Sequence, residues 1–200
     1  MVGDANFNYA FPSLSRSHPR GGTSQPSAVI LPLPSTMSEK ATVYLETTIP
    51  SYLTARPSSD LITVGEQAIT REWWEQRRAM YRLFISEAVV EEASRGDVEA
   101  SRRRLEALSG LEELAIDEPA IGLAEKLLES GLIPKKAAAD AIHIAVAARH
   151  GVDYLLTWNC RHLANAEIIR QVSHIVDREG YYVPIICTPR ELFGEQENEE

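Results

Sequence analysis

From Ala41 onward the chain alternates two patterns: short apolar runs, and longer stretches whose apolar positions recur every three or four residues. The runs Thr42–Leu45, Leu83–Ile85, Leu114–Ile116, Tyr154–Thr157 and Val183–Ile186 predict five strands. After the first, Thr47-Thr48-Ile49-Pro50 supplies hydroxyls and a proline suited to a helix start. Leu61, Val64, Ala68 and Trp73 then predict a long helix over 60–78. Ser86 is positioned to cap a short helix that stops near Gly96, and 98–108 predicts another. Further helices are expected over 118–130, from Pro134 to about His150, and over 167–179, stopped by Gly131, Gly151 and Gly180. Thr188-Pro189-Arg190-Glu191 has the form of a capping box and predicts a last helix. Strands separated by helices, with runs that do not alternate in polarity, predict an α/β fold whose five-stranded parallel sheet is covered by helices on both faces. Pro184 puts the fifth strand at an edge.

Residues 1–38 break this pattern. Proline, serine and glycine abound, lysine is missing, and Asp4, Arg16 and Arg20 are the charges. Such a composition predicts a disordered extension, or a mis-called start upstream of a true one at Met37. A secretory signal does not fit, because the apolar stretch Ala28–Leu33 is cut by Pro32 and comes late. The expected domain is 39–193, followed by an acidic tail over 194–200.

Charge and cysteine content narrow the classes of function. The 200 residues carry a formal charge of −9, which argues against a broad basic face for duplex DNA. Asp140 and His143 interrupt the apolar run 137–148, which is shorter than the roughly 20 residues of a bilayer span, so no membrane partner is expected. Cys160 and Cys187 show no CxxC spacing and fit a reducing, cytoplasmic setting without thiolate zinc.

In an open parallel sheet, ligands bind beyond the carboxyl ends of the strands near the switch in strand order. That rule selects Glu46 after the first strand, Glu91 and Glu92 in the helix after the second, Asp140 in the helix before the fourth, and Trp158-Asn159 after the fourth. Clustered carboxylates raise one another's pKa, so their coexistence at neutral pH points to a bound cation. A donor set of oxygens suits Mg²⁺ or Mn²⁺ better than Zn²⁺.

Four segments carry a resemblance. Val43-Tyr44-Leu45-Glu46-Thr47-Thr48, the stretch Ile85–Gly96, Ala138-Ala139-Asp140-Ala141-Ile142-His143-Ile144-Ala145, and Leu155-Leu156-Thr157-Trp158-Asn159 resemble, in order and spacing, the acidic motifs of the PIN domain across residues 41–190. That family includes the VapC-type toxins of bacterial toxin–antitoxin pairs and consists largely of Mg²⁺- or Mn²⁺-dependent ribonucleases on a Rossmann-like three-layer α/β/α fold. The resemblance implies four catalytic and metal-holding residues. Glu46 stands where the family usually has Asp, Glu92 lies four residues before Gly96 with Glu91 in reserve, Asp140 matches directly, and Asn159 replaces a frequent fourth Asp. Thr47, Thr48 and Thr157 are expected to hydrogen-bond the carboxylates or a phosphate. His143, one turn from Asp140, reads either as part of an Asp-x-x-His metal pair or as a hydrogen-bonded, partly buried histidine.

The implied activity is hydrolysis of RNA phosphodiesters by a metal-activated water, with a small antitoxin protein occupying the acidic cleft and a homodimer as the common assembly. The alternative is a PIN-like module that binds RNA or protein with little nuclease activity, suggested by Glu46 and Asn159 departing from Asp. Two other features stay open between roles. Trp73 and Trp74, with Arg71, Arg77 and Arg78, fit RNA stacking, a subunit contact or core packing, while Arg161 and His162 fit an RNA contact or a plain loop. Cys160 reads as a small buried filler and Asp153 as structural.

Overall fold

The computed structural model describes residues 40–193. The extension expected over 1–38 and the acidic tail over 194–200 lie outside the described residues. Five strands, β1 (Thr42–Leu45), β2 (Arg82–Ser86), β3 (Glu112–Leu114), β4 (Tyr154–Leu156) and β5 (Ile185–Cys187), form one parallel sheet in the order β3-β2-β1-β4-β5. Helices α1 (Thr48–Thr54) and α2 (Leu61–Gln76) connect β1 to β2, followed by a 3₁₀ turn at Arg78–Met80. The helices α3 (Glu87–Ala93) and α4 (Val98–Leu108) lead to β3, α5 (Glu118–Glu129) and α6 (Ala138–Arg149) to β4, and α7 (Ala166–Arg178) to β5. The expected five-stranded α/β/α architecture is therefore the observed one.

The chain steps outward from β1 to β2 and β3, then returns to the other side of β1 as β4. This reversal opens a crevice beyond the carboxyl ends of β1 and β4. Tyr44 lies beside Phe84 on one flank and Leu155 on the other, so the middle strands are buried on both faces and read as continuous apolar runs. Asp153 locks the near end of this pairing, accepting from the backbone N–H and hydroxyl of Thr42 at 2.8 and 2.7 Å. Its expected structural role is the one seen.

Helix α6 is covered almost all round: residues from Ala138 to Ala148, Asp140 apart, are buried. Its small alanines let α5 approach closely while Ile142, Ile144 and Val146 fill the core. Asp60, Asp97, Asp117 and Asn165 cap α2, α4, α5 and α7 through their side chains. Gly96, at φ +87°, turns the chain from α3 toward α4 in a conformation that other residues resist.

Four expectations are corrected at this level. The third strand spans Glu112–Leu114 instead of Leu114–Ile116, because an edge strand can show acids to solvent, and Arg82 meets Glu112 at 3.4 Å. The fifth begins at Ile185 because Pro184 has no N–H, and Ile185 makes the first bond, to the Asp153 carbonyl at 2.9 Å. The capping contact at Thr188 forms, its N–H and hydroxyl donating to Glu191 at 2.8 and 2.9 Å, but it closes turns over 188–193 and no α-helix follows there. Cys160 is exposed on the loop after β4, while Cys187 is the buried cysteine.

Candidate active site

Glu46 follows β1 directly, and the parallel register puts it beside the end of β4, where its N–H donates to the Leu156 carbonyl at 3.0 Å. Its side chain is 5% exposed. The Oε2 atom accepts three bonds: from the Thr48 N–H at 3.1 Å, the Thr48 hydroxyl at 2.5 Å and the Thr157 hydroxyl at 2.7 Å. Those hydroxyls are themselves oriented, since Thr48 Oγ1 accepts from the Trp158 N–H at 2.8 Å and Thr157 Oγ1 from the Asn159 N–H at 2.9 Å. With their lone pairs so occupied, both threonines turn their protons toward the carboxylate. Among the described residues Oε1 of Glu46 has no hydrogen bond, and it remains available to a cation.

Helix α3 presents Glu92 to the same point. The Thr47 hydroxyl donates to Glu92 Oε2, which also lies 3.0 Å from His143 Nε2. Glu91, its neighbour on the helix, points outward, is exposed and pairs with Arg95. Neighbours on a helix diverge by about 100°, so one of the pair faces the crevice. Behind Glu92 runs a buried chain: His143 Nδ1 lies 2.8 Å from the Tyr44 hydroxyl, and that hydroxyl 2.6 Å from Ser86 Oγ. Ser86 occupies the expected cap position of α3 but makes no side-chain cap bond. Its hydroxyl serves the buried tyrosine instead. His143 is 1% exposed, more deeply buried than its sequence context suggested.

Asp140, one turn before His143 on α6, is half-buried and has a different partner. Asn159 Nδ2 donates to its Oδ1 at 3.1 Å, while Asn159 Oδ1 accepts the His162 N–H at 3.1 Å. Asn159 thus clamps Asp140 instead of joining Glu46 and Glu92. Next to it, the Trp158 indole donates to Thr70 Oγ1 at 2.7 Å and stacks on Tyr52 with centroids 6.3 Å apart. Trp73 is core, and Trp74 lies under the Arg78 guanidinium at 4.8 Å.

The electrostatics follow from these partners. Burial pushes Glu46 above the usual carboxylate value, opposed by the nearby His143 and by the hydroxyls of Thr48 and Thr157. Burial also works against charge on Glu92, but the His143 contact and the Thr47 hydroxyl overcome it and hold Glu92 below its ordinary value. Asp140 is pushed up to about 7, first by burial and then by the charge of Glu46. For His143, burial disfavours the charged ring, yet Tyr44, Glu92 and Glu46 together raise it well above the usual histidine value. One donor atom each from Glu46, Glu92 and His143 lies within 4.8 Å of the others, a spacing that fits one divalent ion. Two carboxylates and an imidazole are also donor types such an ion accepts.

The sequence reading overlooked Tyr44 and Ser86. The signal was a tyrosine inside an otherwise apolar central strand, whose hydroxyl needs a partner once buried.

The sequence model of the PIN domain matches residues 59–167, more than half the chain, and the protein belongs to the PIN domain family. The match includes Glu92, Asp140 and Asn159 and begins after Glu46, whose membership of the site rests on its position in the crevice. Among solved structures, the chain is similar to VapBC2 from Rickettsia felis bound to a DNA fragment from their promoter, with 16% identity and a TM-score of 0.44 over 74% of this chain and 98% of that one. It is also similar to Mycobacterium tuberculosis VapC20, a sarcin-ricin loop cleaving toxin, with 15% identity and a TM-score of 0.44 over 62% of this chain and 95% of that one. No curated protein is significantly similar in sequence. Among the described residues, no helix is long and apolar enough to cross a membrane.

Proposed function

We propose that the protein is a metal-dependent endoribonuclease, and that it acts as the toxin of a toxin–antitoxin pair. The observation that carries the reading is the convergence of Glu46, Glu92 and Asp140, from three separated stretches of a PIN domain, on the crevice beyond β1 and β4. Burying three mutually repelling carboxylates is costly without a cation. When bound, a divalent ion supplies an acidified water and a positive charge facing the phosphate.

The chain's own groups do the rest. Glu46 and Glu92 hold the ion, their carboxylates oriented by Thr47, Thr48 and Thr157. Asn159 fixes Asp140 Oδ1, leaving Oδ2 to take a proton from the attacking water. Trp158, anchored by Thr48 and Thr70, forms one wall beside the acids. The antitoxin is read as a small protein that covers this crevice, and the toxin as a cytoplasmic homodimer.

The test is cleavage of a mixed RNA pool by the full chain with Mn²⁺ or Mg²⁺, beside EDTA and Asp140→Asn controls. Cleavage that disappears in both controls is the expected result. A folded protein that binds RNA but cuts none with any metal would instead favour the binding-module alternative.

A further inference from the structure

We propose that His143 is itself a ligand of the metal centre, through Nε2, and that the site therefore prefers a first-row transition ion such as Mn²⁺ to Mg²⁺. This rests on the metal-nuclease reading and specifies its donor set.

Three observations support it. First, His143 Nε2 stands 3.0 Å from Glu92 Oε2, and one donor atom each of His143, Glu92 and Glu46 lies within 4.8 Å of the others. Neighbouring ligands on an octahedral ion with bonds of about 2.1 Å are themselves about 3.0 Å apart, so this pair has the separation of two adjacent ligands. Second, the other ring nitrogen has the outer partner that metal-bound histidines use, the Tyr44 hydroxyl at 2.8 Å, backed by Ser86 at 2.6 Å. Protons in this hydroxyl chain can run either way. Run from Ser86 through Tyr44 to Nδ1, they leave Nε2–H to donate to Glu92. Run in reverse, with Nδ1–H donating to Tyr44 and Tyr44 to Ser86, they expose the Nε2 lone pair toward the carboxylates. His143 can thus exchange its Nε2 proton for an ion without leaving Nδ1 or the Tyr44 hydroxyl unpaired. Third, Asp140 lies outside this triangle of donors, tied to Asn159. Without His143, the centre would hold the ion through two protein side chains.

The preference follows from ligand chemistry. Mg²⁺ favours oxygen donors and gives up water reluctantly, whereas an imidazole nitrogen binds first-row transition ions more strongly.

The experiment loads the full chain with one equivalent of Mn²⁺ alone and records pulsed EPR. Direct imidazole ligation is expected to give ¹⁴N modulation, converted to a ¹⁵N pattern by ¹⁵N-histidine labelling and lost in His143→Asn. Isothermal titration should show Mn²⁺ affinity falling about 10-fold or more in His143→Asn, with Mg²⁺ affinity reduced less. Should that variant fail to fold by circular dichroism, Tyr44→Phe provides the second arm. It keeps the imidazole, so the nitrogen signal should persist while Mn²⁺ binds more weakly. Bound Mn²⁺ without nitrogen modulation in the wild-type protein would overturn the ligand assignment and leave the metal nuclease standing. Failure of the folded wild-type chain to bind Mn²⁺ or Mg²⁺ at all would overturn both.

Discussion

The two halves of the crevice are built differently. On the inner side, Glu46 and Glu92 share five hydrogen-bonding partners, namely Thr47, the backbone and hydroxyl of Thr48, Thr157 and His143. On the outer side, among the described residues, the Asp140 carboxyl is held by one bond from Asn159. The consequence shows in their charge. Glu92, though largely buried, is pulled below the usual carboxylate range, whereas Asp140 is pushed up to about 7. Burial alone therefore does not set ionisation here. At Glu92 the contact with His143 outweighs burial, whereas at Glu46 burial outweighs three donors, so the inner half is a seat of fixed oxygens and the outer half a group that exchanges protons near neutrality.

The harshest way to break this contrast is to remove the seat. Glu46→Ala should reduce RNA cleavage by more than about 100-fold and weaken Mn²⁺ binding, read by a gel assay and by titration calorimetry. A gentler change is Thr157→Val, which deletes one donor to Glu46 and the acceptor for the Asn159 N–H. Metal affinity should drop about 10- to 100-fold while the circular dichroism spectrum stays native.

Asp140 probes the other half through pH. Because its folded pKa lies above the ordinary 3.8, the metal-free folded protein holds a proton there that the unfolded chain has released between about pH 4 and 7. Asp140 thus makes stability fall as pH rises through that window and level off above it. Asp140→Asn should remove this component, so that thermal melts of the two proteins diverge with rising pH in the variant's favour. Parallel curves from pH 4 to 8 would contradict the shifted carboxyl. The smallest effect belongs to Glu91→Gln, outside both halves. Its exposed pair with Arg95 contributes little, so stability should stay within about 0.5 kcal/mol and cleavage should be unchanged.

The parallel sheet and its alternation with helices were legible because the buried strands are continuous apolar runs and the helices carry recognisable caps. Misplaced boundaries fell at the sheet edges, β3 and β5, where exposed acids and a proline displace pairing by one or two residues. Within the site, the choice of Glu92 over Glu91 agrees with which of the two faces inward. The turn of Asn159 toward Asp140 was not legible, because it depends on loop backbone, with the His162 N–H capturing the side-chain carbonyl. The Ser86–Tyr44–His143 chain escaped for a related reason. A serine before a helix looks like a cap until the fold brings a buried tyrosine hydroxyl against it.

The bond from Thr157 to Glu46 joins residues 111 apart in sequence, and the contact between His143 and Glu92 spans 51. The inner half of the crevice is thus completed only by contacts far apart in sequence. During synthesis, α1 to α4 can emerge and begin to pack while Glu46 still lacks the strand that orients it. The nuclease we propose would thus stay without its assembled centre until β4 has left the ribosome and paired with β1.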